Sequence, residues 1–165
     1  MELTALDEAD LTTVAAFLND CWRAAYADIL DADFLAGLTT ADRVARLRRH
    51  RARGSIGLVA WDQGVVVGVV MAGPSHLPEC PQAGEIDLLY VHPQLIGTGL
   101  GHRLLIAGEA NLRERGYTTV CLDAFSANTR AIGFYTAHGY SKVGTAPDHL
   151  AANVYPLDIM AKPLS

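Results

Sequence analysis

Residues Tyr90–Leu105 read "YVHPQLIGTGLGHRLL", with Gly97, Gly99 and Gly101 on alternate positions ahead of a run whose apolar residues recur at helical spacing. A glycine-rich turn entering a helix lets bare backbone N–H groups converge on an anion, and the helix dipole adds partial positive charge at the same point. The natural guest is a phosphate. The plain alternative is a tight turn that holds nothing.

The elements on either side of this turn can be read from their periodicity. Downstream, "LGHRLLIAGEANLRERG" sets Leu100, Leu104, Leu105, Gly108 and Leu112 on one face, with Arg113 and Arg115 near its end and Gly116 as the stop, so it is a helix. Upstream, "EIDLLYV" (85–91) is β-rich and follows a Pro-rich loop, and before it "SIGLVAW" and "VVVGVVMAG" read as a hairpin turning at "DQG". Beyond the helix come a strand "TTVCLDAF", a short helix "NTRAIGFYTAHG" closed by Gly139, and two last strands, "YSKVGTA" and "NVYPLDIMAKPL". The start of the chain offers a short strand "ELTAL" and two helices, one capped by Asp7 and one by Thr39 with Asp42 three residues on. This order implies a central mixed sheet covered by helices.

Composition narrows the class. At 165 residues the expectation is a single domain, 1–165, with a sizeable core. The longest apolar run, "GVVVGVVMAG", is far short of the roughly 20 residues of a membrane span, and "MELTALDEAD" lacks the basic start of a secretory signal. A cytoplasmic protein without membrane partners is expected. The net charge of −5 speaks against nonspecific nucleic-acid binding and tilts towards a neutral or cationic substrate. The arginine run from Arg43 to Arg53 reads as a solvated helix face. Cys21, Cys80 and Cys121 are far apart and odd in number, and the six histidines show no ligand spacing, so neither a disulfide framework nor a metal site is expected.

Spacing separates the phosphate readings of the glycine turn. A P-loop needs Gly-Lys-Ser/Thr at its end, but Gly101 is followed by His102 and Arg103. The dinucleotide fingerprint G-x-G-x-x-G fits Gly97 and Gly99, with Asp123 at the end of the next strand as the ribose acid. Its third glycine would be one residue early, and "HPQLI" intervenes where a dinucleotide turn follows its strand directly. The stretch "LYVHPQLIGTGLGHRLL" instead resembles the acyl-CoA motif of the GNAT superfamily of N-acyltransferases, in the register that ends at Gly101, with Ile96 where the family pattern has Gln or Arg. A second segment is similar to the same family: Asn128, Ala131, Tyr135, Gly139 and Tyr140 keep every spacing of its Asn–Ala–Tyr–Gly–aromatic signature. "CWRAAYADIL" also looks like the first helical region of small GNAT enzymes.

The resemblance implies an α/β, three-layer αβα fold whose mostly antiparallel mixed sheet splays between strands 4 and 5. It implies acetyl-CoA as cosubstrate, lying in that opening. Leu89, Tyr90 and Val91 would pair with the pantetheine amides, in a form of strand addition, and a Leu89 or Tyr90 N–H could meet the developing oxyanion. Ile96, Gly97, Thr98, Gly99, Leu100, Gly101 and His102 would cradle the pyrophosphate, while Asn128 orients pantetheine or a bridging water. Tyr135 would protonate the departing thiolate. Glu85 is the expected base for a primary amine that attacks directly in a ternary complex, with Asp87 on the same side of the strand as its substitute. The acceptor class stays open among small-molecule amines, protein N-termini and lysines, and a homodimer is compatible with these readings. Two other functions remain as alternatives: a non-catalytic acyl-CoA sensor and a dinucleotide-dependent enzyme.

Overall fold

The computed structural model describes residues 1–165. Seven strands form one sheet: β1 (Glu2–Ala5), β2 (Ile56–Asp62), β3 (Val65–Pro74), β4 (Gly84–Val91), β5 (Thr119–Phe125), β6 (Ser141–Leu150) and β7 (Asn153–Pro163). Their spatial order is β1-β2-β3-β4-β5-β7-β6. Every neighbouring pair is antiparallel except β4 and β5, which run parallel and pair only at Gly84↔Val120 and Glu85↔Cys121. Past that point the two strands diverge, so the expected splay is present and one edge of β4 is free from Ile86 onward.

Helices cover both faces. Helix α1 (Leu11–Ala25) buries Leu11, Val14, Ala15 and Leu18, and α3 (Thr40–Ala52) buries Leu47, against Val59, Val66, Val69 and Met71 of the sheet. On the other face α4 (Leu100–Glu114) inserts Leu100, Leu104, Leu105 and Leu112 against Val70, Ala72, Ile86 and Leu122. Helix α5 (Thr129–Ala137) adds Tyr135 to the same core. Truncating a leucine as buried as Leu104 costs about 2–5 kcal/mol. No helix is long and apolar enough to cross a membrane.

The sequence expectations need three corrections. A third early helix, the short α2 (Ala32–Ala36), lies between the two that were expected, capped by Asp31 through Phe34 N. Thr39 caps α3 by accepting from Asp42 N, but only Asp7 makes a full capping box, with Asp10, at a 3-10 turn (Glu8–Asp10) ahead of α1. The arginine run is not uniformly solvated. Arg43 is buried, stacked 4.5 Å over the Trp22 ring, and its Nε donates to Asn19 Oδ1 at 3.0 Å.

Candidate active site

The geometry follows from a bulge in β4. Leu88 pairs with Met71 and Ile86 with Ala72, which leaves Asp87 as an extra residue. A bulge bends its strand and re-aims its side chains. Here Ile86 packs towards α4 while Leu88 packs towards α1 and α3. Glu85 and Asp87, on either side of Ile86, share the α3 side of the sheet by strand alternation, and the bulge keeps Leu88 on that side as well. His76 joins the two carboxylates, and ligand atoms of all three lie within 4.8 Å of one another. The fold thus assembles a group of metal-ligand types that no linear histidine spacing announced.

Each carboxylate has its own partners. Glu85 is 2% exposed, and its Oε1 accepts from His76 N at 3.0 Å and lies 3.1 Å from His76 Nδ1. That bond raises the His76 pKa above its ordinary value, against partial desolvation. Asp87 Oδ2 accepts from Ser55 Oγ, which a close approach makes available: a Cβ on Gly73 would collide with Ser55, so only glycine fits opposite it. Burial, with the Glu85 charge adding, pushes the Asp87 carboxyl up to about 7 against the Ser55 bond. His50 Nδ1 stands 3.8 Å from the same oxygen, but burial and the nearby Arg53 and Arg46 hold its imidazole down to about 4. At neutral pH His50 is uncharged and forms no ion pair.

On β5, Asp123 lies two residues beyond the last β4–β5 pair. Its carboxylate makes no hydrogen bond or ion pair within the protein and is open to solvent on one side, yet protein surrounds most of it. Desolvation, then the charge of Glu85, moves its carboxyl up to about 6. Sequence reading considered Asp123 only as a ribose acid. Its place in the cleft depends on which strands pair, and pairing is not written locally. Tyr26, at the end of α1, was likewise missed; its hydroxyl lies 2.8 Å from that of Tyr90. Trp22, Tyr26 and Phe125 meet edge to face, and Tyr155 packs on Phe125, forming an aromatic wall beside these groups.

Tyr135 of α5 is buried in the core, and burial, with Tyr90 and Asp123 adding, pushes its phenol above the ordinary value. Such a group holds its proton until a strong base arrives, and its hydroxyl has no hydrogen bond within the protein. Asn128 is the N-cap of α5, its Oδ1 accepting from Ala131 N at 3.2 Å, so the plain capping role is realised and only its amide nitrogen stays free.

At the far end of β4, a 3-10 turn (Pro93–Leu95) capped by His92 Nδ1 leads into the glycine loop. Gly97 and Gly99 have φ of 85° and 92°, a region that other residues enter only with strain, and open space surrounds both. Helix α4 starts at Leu100 with Gly99 as an N-cap that offers no side chain, so Gly101 and His102 lie in its first turn. No acceptor of the protein takes the amides of Gly97, Gly99, Leu100, Gly101 or His102. These unpaired donors at a helix start, continuous with the free edge of β4 at Leu89, Tyr90 and Val91, fit a pyrophosphate joined to an amide-bearing arm. Ile96 is 45% exposed at the rim.

The sequence profile of the acetyltransferase (GNAT) family matches residues 13–140, most of the chain and all of this site except Tyr155. The chain belongs to the GNAT family. Among relatives, the mycothiol acetyltransferase of Nocardia farcinica is 40% identical over 75 residues, which are 46% of this chain and 23% of that protein. This GNAT chain therefore spans about a quarter of that relative's length. Among solved folds, a GCN5-related N-acetyltransferase from Rhodopseudomonas palustris superposes with a TM-score of 0.78 at 26% identity, covering 99% of this chain and 95% of its own. A putative acetyltransferase (yncA) from Salmonella typhimurium, solved with its cofactor acetyl-CoA, shares the fold at a TM-score of 0.74 and 23% identity, covering 100% and 94% of the two chains.

Proposed function

We propose that this chain transfers the acetyl group of acetyl-CoA to a primary amine that attacks directly, without an acyl-enzyme. The observation that carries the reading is the continuity of three features along β4: unpaired amides at the glycine loop, a free strand edge at Leu89–Val91, and carboxylates with a protonated tyrosine at the point of divergence. Acetyl-CoA supplies the activated acyl group. The chain's own residues bind it through main-chain donors from Gly97 to His102 and through the edge of β4, with Asn128 offering its amide nitrogen.

An amine attacks only when neutral, and at neutral pH most aliphatic amines arrive as ammonium ions. Asp123, open to solvent and unpaired, attracts that cation into the cleft. Glu85, oriented by both His76 contacts, takes its proton, with Asp87 as the alternative acceptor. Tyr135 then donates to the departing thiolate. The aromatic wall of Trp22, Tyr26, Phe125 and Tyr155 forms the acceptor side, which suits an amine on a partly apolar body and leaves small molecules, protein N-termini and lysines as classes to test.

The test is release of free thiol from acetyl-CoA with panels of small amines, peptides with free N-termini and lysine-containing peptides. Turnover with one class is expected. If acetyl-CoA binds and no amine accelerates thiol release, the chain is an acyl-CoA sensor and the catalytic reading fails.

A further inference from the structure

The inference concerns two histidines at the phosphate end of the cleft and rests on the acetyl-CoA reading above. His138 follows the last turn of α5, and its Nδ1 lies 2.7 Å from the carbonyl oxygen of Phe134. A carbonyl only accepts, so that nitrogen carries a hydrogen. His138 Nε2 in turn lies 2.9 Å from Nδ1 of His102, in the first turn of α4, and the two rings are 5.1 Å apart. One hydrogen must occupy the space between those nitrogens.

These contacts fix the outer face of His102. In the neutral pair, His138 already has its hydrogen on Nδ1, so its Nε2 is a bare acceptor. The shared hydrogen then belongs to His102 Nδ1, and His102 Nε2 is left as a lone pair. Adding one proton reverses this wherever the charge settles. If His138 becomes the imidazolium, it donates to a bare His102 Nδ1, and neutral His102 must carry its hydrogen on Nε2. If His102 becomes the imidazolium, both its nitrogens carry hydrogens. Either way one proton turns His102 Nε2 from acceptor into donor.

His102 is exposed, its Nε2 has no partner within the protein, and helical side chains lean towards the N-terminus, here the unpaired amides of the glycine loop. We propose that the His102–His138 pair is a proton-operated phosphate contact, which repels the CoA pyrophosphate when neutral and donates a hydrogen bond to it when singly protonated. Binding then takes up a proton at the pair.

The surroundings supply no competing switch. From β7, Lys162 Nζ donates to the His138 carbonyl at 2.9 Å and is paired with Glu109 of α4 at 2.8 Å, where the Tyr140 hydroxyl also donates. Arg103 turns towards Met1, and Arg130 lies at the opposite end of α5. The Phe134 ring flanks His138 at 4.3 Å. No carboxylate pairs with either ring.

The probe is dephospho-CoA, whose pyrophosphate does not titrate near neutrality, whereas the monoester of CoA gains a proton near pH 6. Calorimetry in two buffers of different ionisation enthalpy reads affinity and proton uptake together. Binding is expected to tighten about tenfold from pH ~8.5 to pH ~6, the worth of one charge-assisted hydrogen bond. His102→Gln should flatten that response, which separates it from titration of Asp87 and Asp123. His138→Phe should bind more tightly than the native chain at pH ~8.5, because an unconstrained neutral His102 can present hydrogen on Nε2; a merely structural His138 would give weaker binding. Nitrogen-15 spectra of the free chain should show both histidines as Nδ1–H tautomers at high pH, a measurement independent of any variant's folding. Native binding without pH response or proton uptake, or an Nε2–H tautomer at His102 at high pH, overturns the proposal. Absence of dephospho-CoA binding at every pH overturns the CoA reading together with it.

Discussion

The two ends of β4 are built on opposite plans. At its start, Glu85 and Asp87 are buried side chains, each held by named partners: His76 for one, Ser55 for the other. Past its end, the glycine loop presents main-chain amides on an exposed turn, with open space around Gly97 and Gly99. The contrast teaches where identity matters. Carboxylate chemistry depends on which residue is present and how deeply it sits, whereas an amide cradle depends on backbone angles and accepts most side chains that allow them.

That comparison is broken or sharpened by substitutions at both ends. Tyr135→Phe removes the proposed proton donor and should lower kcat by at least about 100-fold, with little change in dephospho-CoA affinity, as read by steady-state kinetics beside calorimetry. Unchanged turnover would remove the tyrosine from the chemistry. Glu85→Gln and Asp123→Asn separate proton acceptor from cation attractor. The first should abolish the acidic limb of the pH–rate profile, while the second should keep that limb and raise KM for a cationic acceptor several-fold.

Asp87→Asn tests the buried end by stability. Because the folded chain keeps a proton on Asp87 until about pH 7, while the unfolded chain loses it near pH 4, this group's stabilising contribution is whole below about pH 4 and is lost as pH rises through 7. The variant should therefore gain on the native chain between pH ~5 and ~8, by on the order of 3 kcal/mol, in paired denaturant titrations. His50, held down to about 4, works in the other sense: its contribution is whole above about pH 6.5 and fades as pH falls towards 4. The smallest effects belong to the loop. Gly99→Ala should cost about 1–2 kcal/mol through its positive φ. Ile96→Arg, exposed and unstrained, should tighten CoA binding by under about 1 kcal/mol in calorimetry.

How far the sequence could be read follows the same division. The glycine loop, the start of α4 and the spacing from Asn128 to Tyr140 are local patterns, and local backbone rules decide them. The hairpin at Asp62–Val65 is local as well, with the two intervening residues both at positive φ. Arg43 escaped because its partners, Trp22 and Asn19, belong to another helix, and nothing in an arginine-rich run marks which member will stack inward. Asp123 and the His102–His138 pair escaped for a related reason: their meaning comes from groups brought together by the sheet order and by the packing of α5 beside α4. The splay itself was reached through the family resemblance and not through periodicity, since β4 and β5 individually read as ordinary strands.

The join between β4 and β5 has a thermal consequence. With only Gly84↔Val120 and Glu85↔Cys121 paired across it, cohesion between the two halves of the sheet rests, beside the Lys162–Glu109 ion pair and the Tyr140–Glu109 hydrogen bond, on apolar contacts in which Ile86 and Leu112 from one half meet Val120, Leu122 and Met160 from the other. Apolar cohesion weakens on cooling. The joint that sets the width of the cleft is therefore softest in the cold, and amide exchange along β5 should lose protection on chilling sooner than exchange within the hydrogen-bonded β2–β3 pair.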